Sequence, residues 1–220
     1  MFENKIRILL VDDDKDEYYI LRALLDRIED MVYELDWLYD YDKALNLMVS
    51  NEYDIYLLDY RLGIYNGIEL MKDALNNGCD SPVIILTGQG ERKIDIAAMR
   101  AGASDYMLKD EMQSHFLERS IRYAIERKKA QAALLESENR YRDLLENATD
   151  MILNIDINGS FLYVNNRWRN TLNYSEEELR GMTIRDVIYP GYKEQFDKAF
   201  EKLISGVKID LLETAFVSKK

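Results

Sequence analysis

The sequence is poor in residues that carry much covalent and metal chemistry: one cysteine, Cys79, and one histidine, His115, in 220 residues. A lone cysteine excludes a disulfide framework within the chain. Long hydrophobic runs are absent as well. Apolar stretches such as 8–11 and 83–86 fall far short of the roughly 18 residues a spanning helix needs, so no membrane segment is expected. Positive charge is in deficit: 29 Lys and Arg against 41 Asp and Glu leave a formal net charge of -12. That speaks against a nucleic-acid partner, because phosphate binding needs a basic surface. The start has a brief apolar run that ends in three aspartates rather than the pattern of a signal peptide. The expected localisation is cytoplasmic.

What is present is an ordinary globular balance, 47% apolar and 32% charged, in a chain long enough for one or two domains. Over the first 110 residues or so, short apolar runs alternate with amphipathic stretches. Strands are predicted at 6–11, 33–38, 54–58, 83–86 and 106–108, and helices at 15–29, 41–50, 68–75 and 93–100. Such alternation predicts a parallel sheet covered by helices on both faces. Pro82 stands where a strand begins, a position that tolerates proline. Gly78 and Gly102 follow helical patterns, as helix-ending glycines do.

Residues 111–146 contain neither glycine nor proline and are rich in Ala, Leu, Glu, Lys and Arg, which predicts one long helix. Its stripe of Leu117, Ile121, Ala124 and Ile125 is interrupted by Lys128 and Gln131, then resumes at Ala132, Leu135, Leu144 and Leu145. Either a partner helix covers this seam or the helix is solvated. Beyond Asp150, a hairpin is predicted around 156–159. Short helices follow at 167–172 and 175–179, an amphipathic helix at 192–205, and a strand at 207–217.

The chemistry-bearing residues sit at strand ends. Asp12, Asp13 and Asp14 follow the first predicted strand, Asp59 the third, Thr87 ends the fourth and Lys109 the fifth. In an open parallel sheet these ends lie on one edge, where ligands bind. Crowded carboxylates take up protons or bind a cation, and oxygen ligands of this kind suit Mg²⁺. A lysine and a hydroxyl beside them can orient a phosphoryl group. Singly, each residue has an ordinary explanation: an acidic helix cap, a turn, a surface lysine. Jointly, four suitable residue types at four strand ends point to a site.

Ile8-Leu9-Leu10-Val11-Asp12-Asp13, Asp59, Thr87-Gly88 and Lys109 resemble the receiver domain of two-component response regulators, over residues 1–125. The resemblance implies a flavodoxin-like, five-stranded doubly wound α/β fold. It implies that Asp59 accepts a phosphoryl group from the phosphohistidine of a histidine kinase or phosphotransfer protein. Asp12, Asp13 and Asp59, with the backbone carbonyl of Arg61, would hold Mg²⁺. Thr87 and Lys109 would contact the phosphoryl group, and Tyr106 would be the switch aromatic. Such a protein is a self-modifying phosphoacceptor rather than an enzyme in the usual sense. Two departures stand out: Asp110 follows the lysine where the family commonly has proline, and Leu62-Gly63 replaces the usual Met-Pro, so both loops are expected to differ.

Within residues 147–220, and in the helix entering them, Tyr141-Arg142-Asp143-Leu144-Leu145-Glu146-Asn147-Ala148, Tyr163-Val164-Asn165 and 172–181 are similar to the start of a PAS domain. That implies an α+β unit with strand order 2-1-5-4-3. Only strands 1 to 3 are expected here, as in a truncated domain whose longer parent could be a sensor kinase. His115 and Cys79 lie outside this segment, so neither a histidine-ligated haem nor a cysteinyl flavin is expected in it. Phe161, Trp168 and Phe200 are read as core. A homodimer through helix 111–146, with Ile121, Ile125, Ala132 and Leu135 exposed for pairing, completes this reading. The rival readings are an aspartyl-nucleophile phosphohydrolase of the haloacid-dehalogenase type, using the Asp12-x-Asp14 spacing, and a receiver that serves only for docking.

Overall fold

A computed structural model describes residues 5–29, 31–88 and 92–219. The chain divides into two compact units, Met1–Ala133 and Leu134–Lys220. In the first unit, strands β1 (Lys5–Val11), β2 (Val32–Leu38), β3 (Ile55–Asp59), β6 (Val83–Thr87) and β7 (Asp105–Leu108) form a sheet in the order β2-β1-β3-β6-β7. Every pairing in it is parallel. Between them run α1 (Lys15–Leu25), α2 (Tyr41–Ser50), α3 (Gly67–Asn76) and α4 (Arg92–Ala101), and α5 (Ser114–Glu146) follows β7. A two-residue ribbon, β4 (Arg61–Leu62) against β5 (Tyr65–Asn66), follows β3.

The period of two along the strands divides the core. Leu9, Val11, Tyr56, Leu58, Val83 and Ile85 face one side with Ala44, Met48, Leu70, Met71 and Ala98 of α2 to α4. Ile8, Leu10, Ile55, Leu57, Ile84 and Leu86 face the other with Leu21, Leu25, Leu117, Ile121 and Ile125 of α1 and α5. With both faces covered, β3 and β6 are buried along their whole length, which is why they read as unbroken apolar runs.

Several expectations need correcting. The first helix ends at Leu25, not 29. The long helix begins at Ser114, after a 3-10 turn over Lys109–Glu111. Ile121 and Ile125 are not an exposed pairing stripe. They are buried against the sheet, because the first turns of this helix complete the core of the first unit.

In the second unit, β8 (Leu153–Ile155) and β9 (Phe161–Val164) form an antiparallel hairpin. It is followed by α6 (Asn166–Leu172), α7 (Glu176–Leu179), 3-10 turns at Ile184–Asp186 and Pro190–Tyr192, and α8 (Lys193–Ile204). Val164, Trp168, Leu172, Leu179, Ile184, Val187 and Ile188 form its core, with Phe161 packed against it. The strand expected at 207–217 is not formed. Phe216 makes an isolated bridge to Ile188, and Val207 and Leu211 remain exposed. A strand is stabilised by its neighbours, and no neighbouring strand runs beside most of this segment.

The hairpin is tied to the last turn of α5 through Asn165, which is fully buried. Its carboxamide oxygen accepts from the N–H groups of Ile152 and Trp168, and its amide nitrogen donates to the carbonyls of Leu145 and Asp150. Glu146 accepts from the Tyr163 hydroxyl, the Asn166 N–H and Arg169.

Candidate functional site

The ends of β1, β3, β6 and β7 deliver the four expected residue types to one edge. Asp59 is the last residue of β3 and pairs in register with Leu86, while Thr87 closes β6 opposite Leu108. Asp12, Asp59 and Thr87 are buried polar residues. Lys109 follows β7 directly, and its ammonium donates to Asp12 Oδ2 and Asp59 Oδ1, 2.8 Å from each. Glu17 Oε1 lies 3.6 Å from the same nitrogen. No peptide bond among the described residues is cis.

The carboxylates are aimed by backbone N–H groups. Asp12 Oδ1 accepts from the Asp14 N–H at 2.8 Å, Asp59 Oδ2 from Arg61 at 2.8 Å, and Asp13 Oδ2 from Gly63 at 3.2 Å. Asp14 turns away from the cluster and caps α1, accepting from the Asp16 N–H. The last contact at Asp13 depends on the β4–β5 ribbon, whose turn places Gly63 at a φ of 61°, a left-handed conformation that glycine adopts without penalty. Tyr65 packs against Tyr41 with ring centroids 4.5 Å apart and the planes tilted by 34°, and the Tyr41 hydroxyl donates to Asp73. The ribbon is thereby held against α2 and α3.

Burial pushes the Asp12 carboxyl up to about 6, although Lys109 and the Asp14 N–H favour its anion. Burial also opposes charge on Lys109, but the hydrogen bonds from Asp12 and Asp59 outweigh it and the ammonium is raised above its ordinary value. The site therefore holds excess negative charge around one internal cation. Carboxylate oxygens of Asp12, Asp13 and Asp59 lie within 4.8 Å of one another. A hard, all-oxygen donor set of this size fits Mg²⁺.

Arg61 lies two residues beyond Asp59, at the start of the ribbon. Tyr106, on β7, is half-exposed beside a surface cleft bordered by Glu111, Phe116, Arg119 and Tyr123. Sequence reasoning missed three contributors: Trp37, whose indole N–H donates to the Asp12 carbonyl at 2.9 Å, the Tyr41–Tyr65 contact, and Gly67. Asn66 before Gly67 is a helix cap accepting from the Glu69 N–H, so Asn-Gly ahead of an apolar helical pattern was the available signal.

A five-stranded parallel sheet with an acidic cluster and a lysine at one edge defines a receiver of two-component signalling. The chain belongs to the response regulator receiver domain family, whose model matches residues 8–122, and a PAS fold matches residues 139–208. Among curated proteins it is similar to the transcriptional regulatory protein DltR of Streptococcus agalactiae, 31% identical over 47% of this chain and 45% of that one. It is also similar to the response regulator MprA of Mycobacterium tuberculosis, 28% identical over 63% of this chain and 59% of that one. The chain thus spans about half the length of the curated relatives it matches. Among solved structures, a receiver domain from Clostridium thermocellum superposes with a TM-score of 0.51 at 26% identity, covering 57% of this chain and 98% of that one. NtrX from Brucella abortus gives a TM-score of 0.54 at 25% identity, covering 63% and 31%. Receivers bind Mg²⁺ at an acidic cluster, which in this chain is Asp12, Asp13 and Asp59. No helix among the described residues is long and apolar enough to cross a membrane.

Proposed function

We propose that Asp59 accepts a phosphoryl group from the phosphohistidine of a histidine kinase or phosphotransfer protein, and that the modified receiver signals through α5 to the PAS unit. The observation that carries this reading is the Lys109 ammonium bridging Asp12 and Asp59 at the meeting of four strand ends. An Asp59 carboxylate oxygen attacks phosphorus, the P–N bond breaks, and the imidazole departs with the bonding pair. The product is an acyl phosphate on Asp59.

Mg²⁺ held by Asp12, Asp13 and Asp59, with the Arg61 carbonyl, would neutralise charge building on the phosphoryl oxygens. Asp59 is already oriented by the Arg61 N–H, which leaves little reorganisation at the moment of attack. Lys109 exchanges its Asp59 partner for a phosphoryl oxygen. Thr87 donates its hydroxyl to another, and the movement of the β6 end frees space into which Tyr106 turns. The net charge of -12 and the PAS segment after the receiver favour protein contacts over nucleic acid as the output, with a homodimer formed through the second half of α5, where Leu134, Leu135, Tyr141 and Leu144 are exposed. Asp14, engaged as the cap of α1, is poorly placed to act as the second aspartate of a phosphohydrolase.

Incubation with acetyl phosphate and Mg²⁺ tests the reading. One phosphoryl group should map to Asp59, and D59N should take up none. Modification at Asp12 or Asp14 instead would favour the phosphohydrolase.

A further inference from the structure

Asp12 lies one residue past the β1 ladder, and both of its backbone polar groups are held by the end of β2. Its N–H donates to the Leu38 carbonyl at 3.0 Å, and its own carbonyl accepts the indole N–H of Trp37 at 2.9 Å. That carbonyl belongs to the rigid peptide plane joining Asp12 to Asp13. Fixing the plane fixes the position of the Asp13 Cα and the axis about which its side chain turns. Asp13 needs such help. It is exposed, and its carboxylate has the Gly63 N–H at 3.2 Å as a distant partner, whereas Asp12 and Asp59 are each locked by Lys109 and a backbone N–H at 2.8 Å.

The ring that supplies the bond is itself held in place. It is half-buried against the core cluster on its face of the sheet. Tyr39 lies beside it with ring centroids 5.7 Å apart, and the Lys15 ammonium sits 5.7 Å over the ring. A tryptophan is an unusual way to satisfy a strand-end carbonyl, for which water would suffice. What the indole adds is a donor whose position is set by packing.

We propose that Trp37 is a positioning residue of the cation site, holding the Asp12–Asp13 peptide so that the Asp13 carboxylate faces Asp59. The proposal rests on the assignment of Asp12, Asp13 and Asp59 as the Mg²⁺ ligands. It predicts a specific pattern in the full chain. W37F keeps a ring but loses the donor, and should weaken Mg²⁺ binding by about tenfold, the lower end of what an outer-shell hydrogen bond is worth to a metal site. W37H keeps a ring N–H and should recover part of that loss.

Mg²⁺ titration calorimetry on wild type, W37F, W37H and D13N separates the outcomes, with circular dichroism and metal-free melting recorded for each. A weaker W37F, a partial recovery in W37H and little or no binding in D13N would support the proposal. If wild type binds Mg²⁺, D13N does not, and folded W37F binds as wild type does, Trp37 is only a packing residue and the proposal fails while the site assignment survives. If D13N binds as tightly as wild type, the site assignment fails and the proposal with it. If W37F is unfolded, W37L, which also lacks the ring donor, takes its place: Mg²⁺ binding about tenfold weaker in folded W37L supports the proposal, and binding as tight as wild type overturns it.

Discussion

Gly67 is packed so closely against Asp59 that a side-chain carbon on the glycine would overlap the Asp59 carbonyl oxygen, with the carbonyl carbon 3.1 Å away. The Gly67 N–H also donates to the Tyr60 carbonyl at 3.0 Å. The first turn of α3 thus rests directly on the strand end that carries the central carboxylate. Backbone, not a flexible side chain, stands in the way of any substituent. G67A should therefore force β3 and α3 apart, at the roughly 1–3 kcal/mol typical of overpacking. Urea denaturation should show the receiver transition shifted to lower concentration, and phosphorylation by acetyl phosphate should slow. An unchanged midpoint would mean that the helix moves away freely and does not brace Asp59.

Acidity should control cation binding. The folded Asp12 carboxyl, raised to about 6 by burial, must lose its proton before it can act as a ligand. Mg²⁺ affinity should then be flat above about pH 7 and fall by about tenfold per pH unit below about 6. For metal-free stability the sign is opposite. A carboxyl whose folded pKa lies above the ordinary 3.8 contributes stability that is fully present below about pH 4 and is lost as pH rises through about 6. Calorimetric Mg²⁺ titrations from pH 5 to 8 check the first statement. Affinity that is constant across that range would contradict it.

Lys109 occupies the same negative pocket that a divalent cation would enter. K109A leaves Asp12 and Asp59 buried without their cation, and breaking such a pair costs about 3–5 kcal/mol. Metal-free K109A should melt well below wild type, and Mg²⁺ should restore more stability to it than to wild type. Asp59 should still accept a phosphoryl group, but the change that normally accompanies it, read as Tyr106 accessibility by chemical labelling, should be lost. Complete loss of Mg²⁺ binding in K109A would overturn this division of labour.

The receiver was legible in the sequence for a physical reason. Strands buried on both faces must be apolar throughout, as 55–58 and 83–86 are, and the residues that do chemistry must interrupt them at their ends. Asp59, Thr87 and Lys109 do so. Less legible was anything decided by what covers a surface. Ile121 and Ile125 carry an apolar helical period whether they face a sheet or a partner helix, and here the sheet takes them. Residues 207–217 are rich in strand-forming types, but strand pairing is a property of neighbours. The Trp37 bond joins residues 25 apart in sequence, which no local pattern signals, and the β4–β5 ribbon, local but two residues long on each side, is too short to show a strand period.

Asn165 should be a costly position to substitute in the second unit. Its carboxamide makes four hydrogen bonds in a fully buried setting. N165A strands the Ile152 and Trp168 N–H groups together with two carbonyls, so a loss of about 2–4 kcal/mol is expected. Hydrogen exchange measured across the whole chain should rise over residues 150–188 and stay unchanged in β1 to β7. Equal exchange in variant and wild type would show that water replaces the carboxamide at little cost.

Self-association should depend on the second half of α5 rather than the first. Leu134, Leu135, Tyr141 and Leu144 are exposed, whereas Ile121 and Ile125 already belong to the core. Leu134 and Tyr141 are one heptad apart and Leu144 stands three residues on, the a-a-d spacing of a helical seam. Burying each large side chain against a partner is worth about 1.5–3 kcal/mol. Charges that would oppose a parallel partner are partly neutralised locally: Lys128 pairs with Asp80, Arg122 with Glu118 and Arg140 with Glu136. Light scattering over a dilution series should show a dimer that dissociates on dilution. L134E combined with L144E should shift it to monomer without lowering the melting temperature of the receiver. A strict monomer at the highest concentration, identical in wild type and the double variant, would remove the case for a pairing helix.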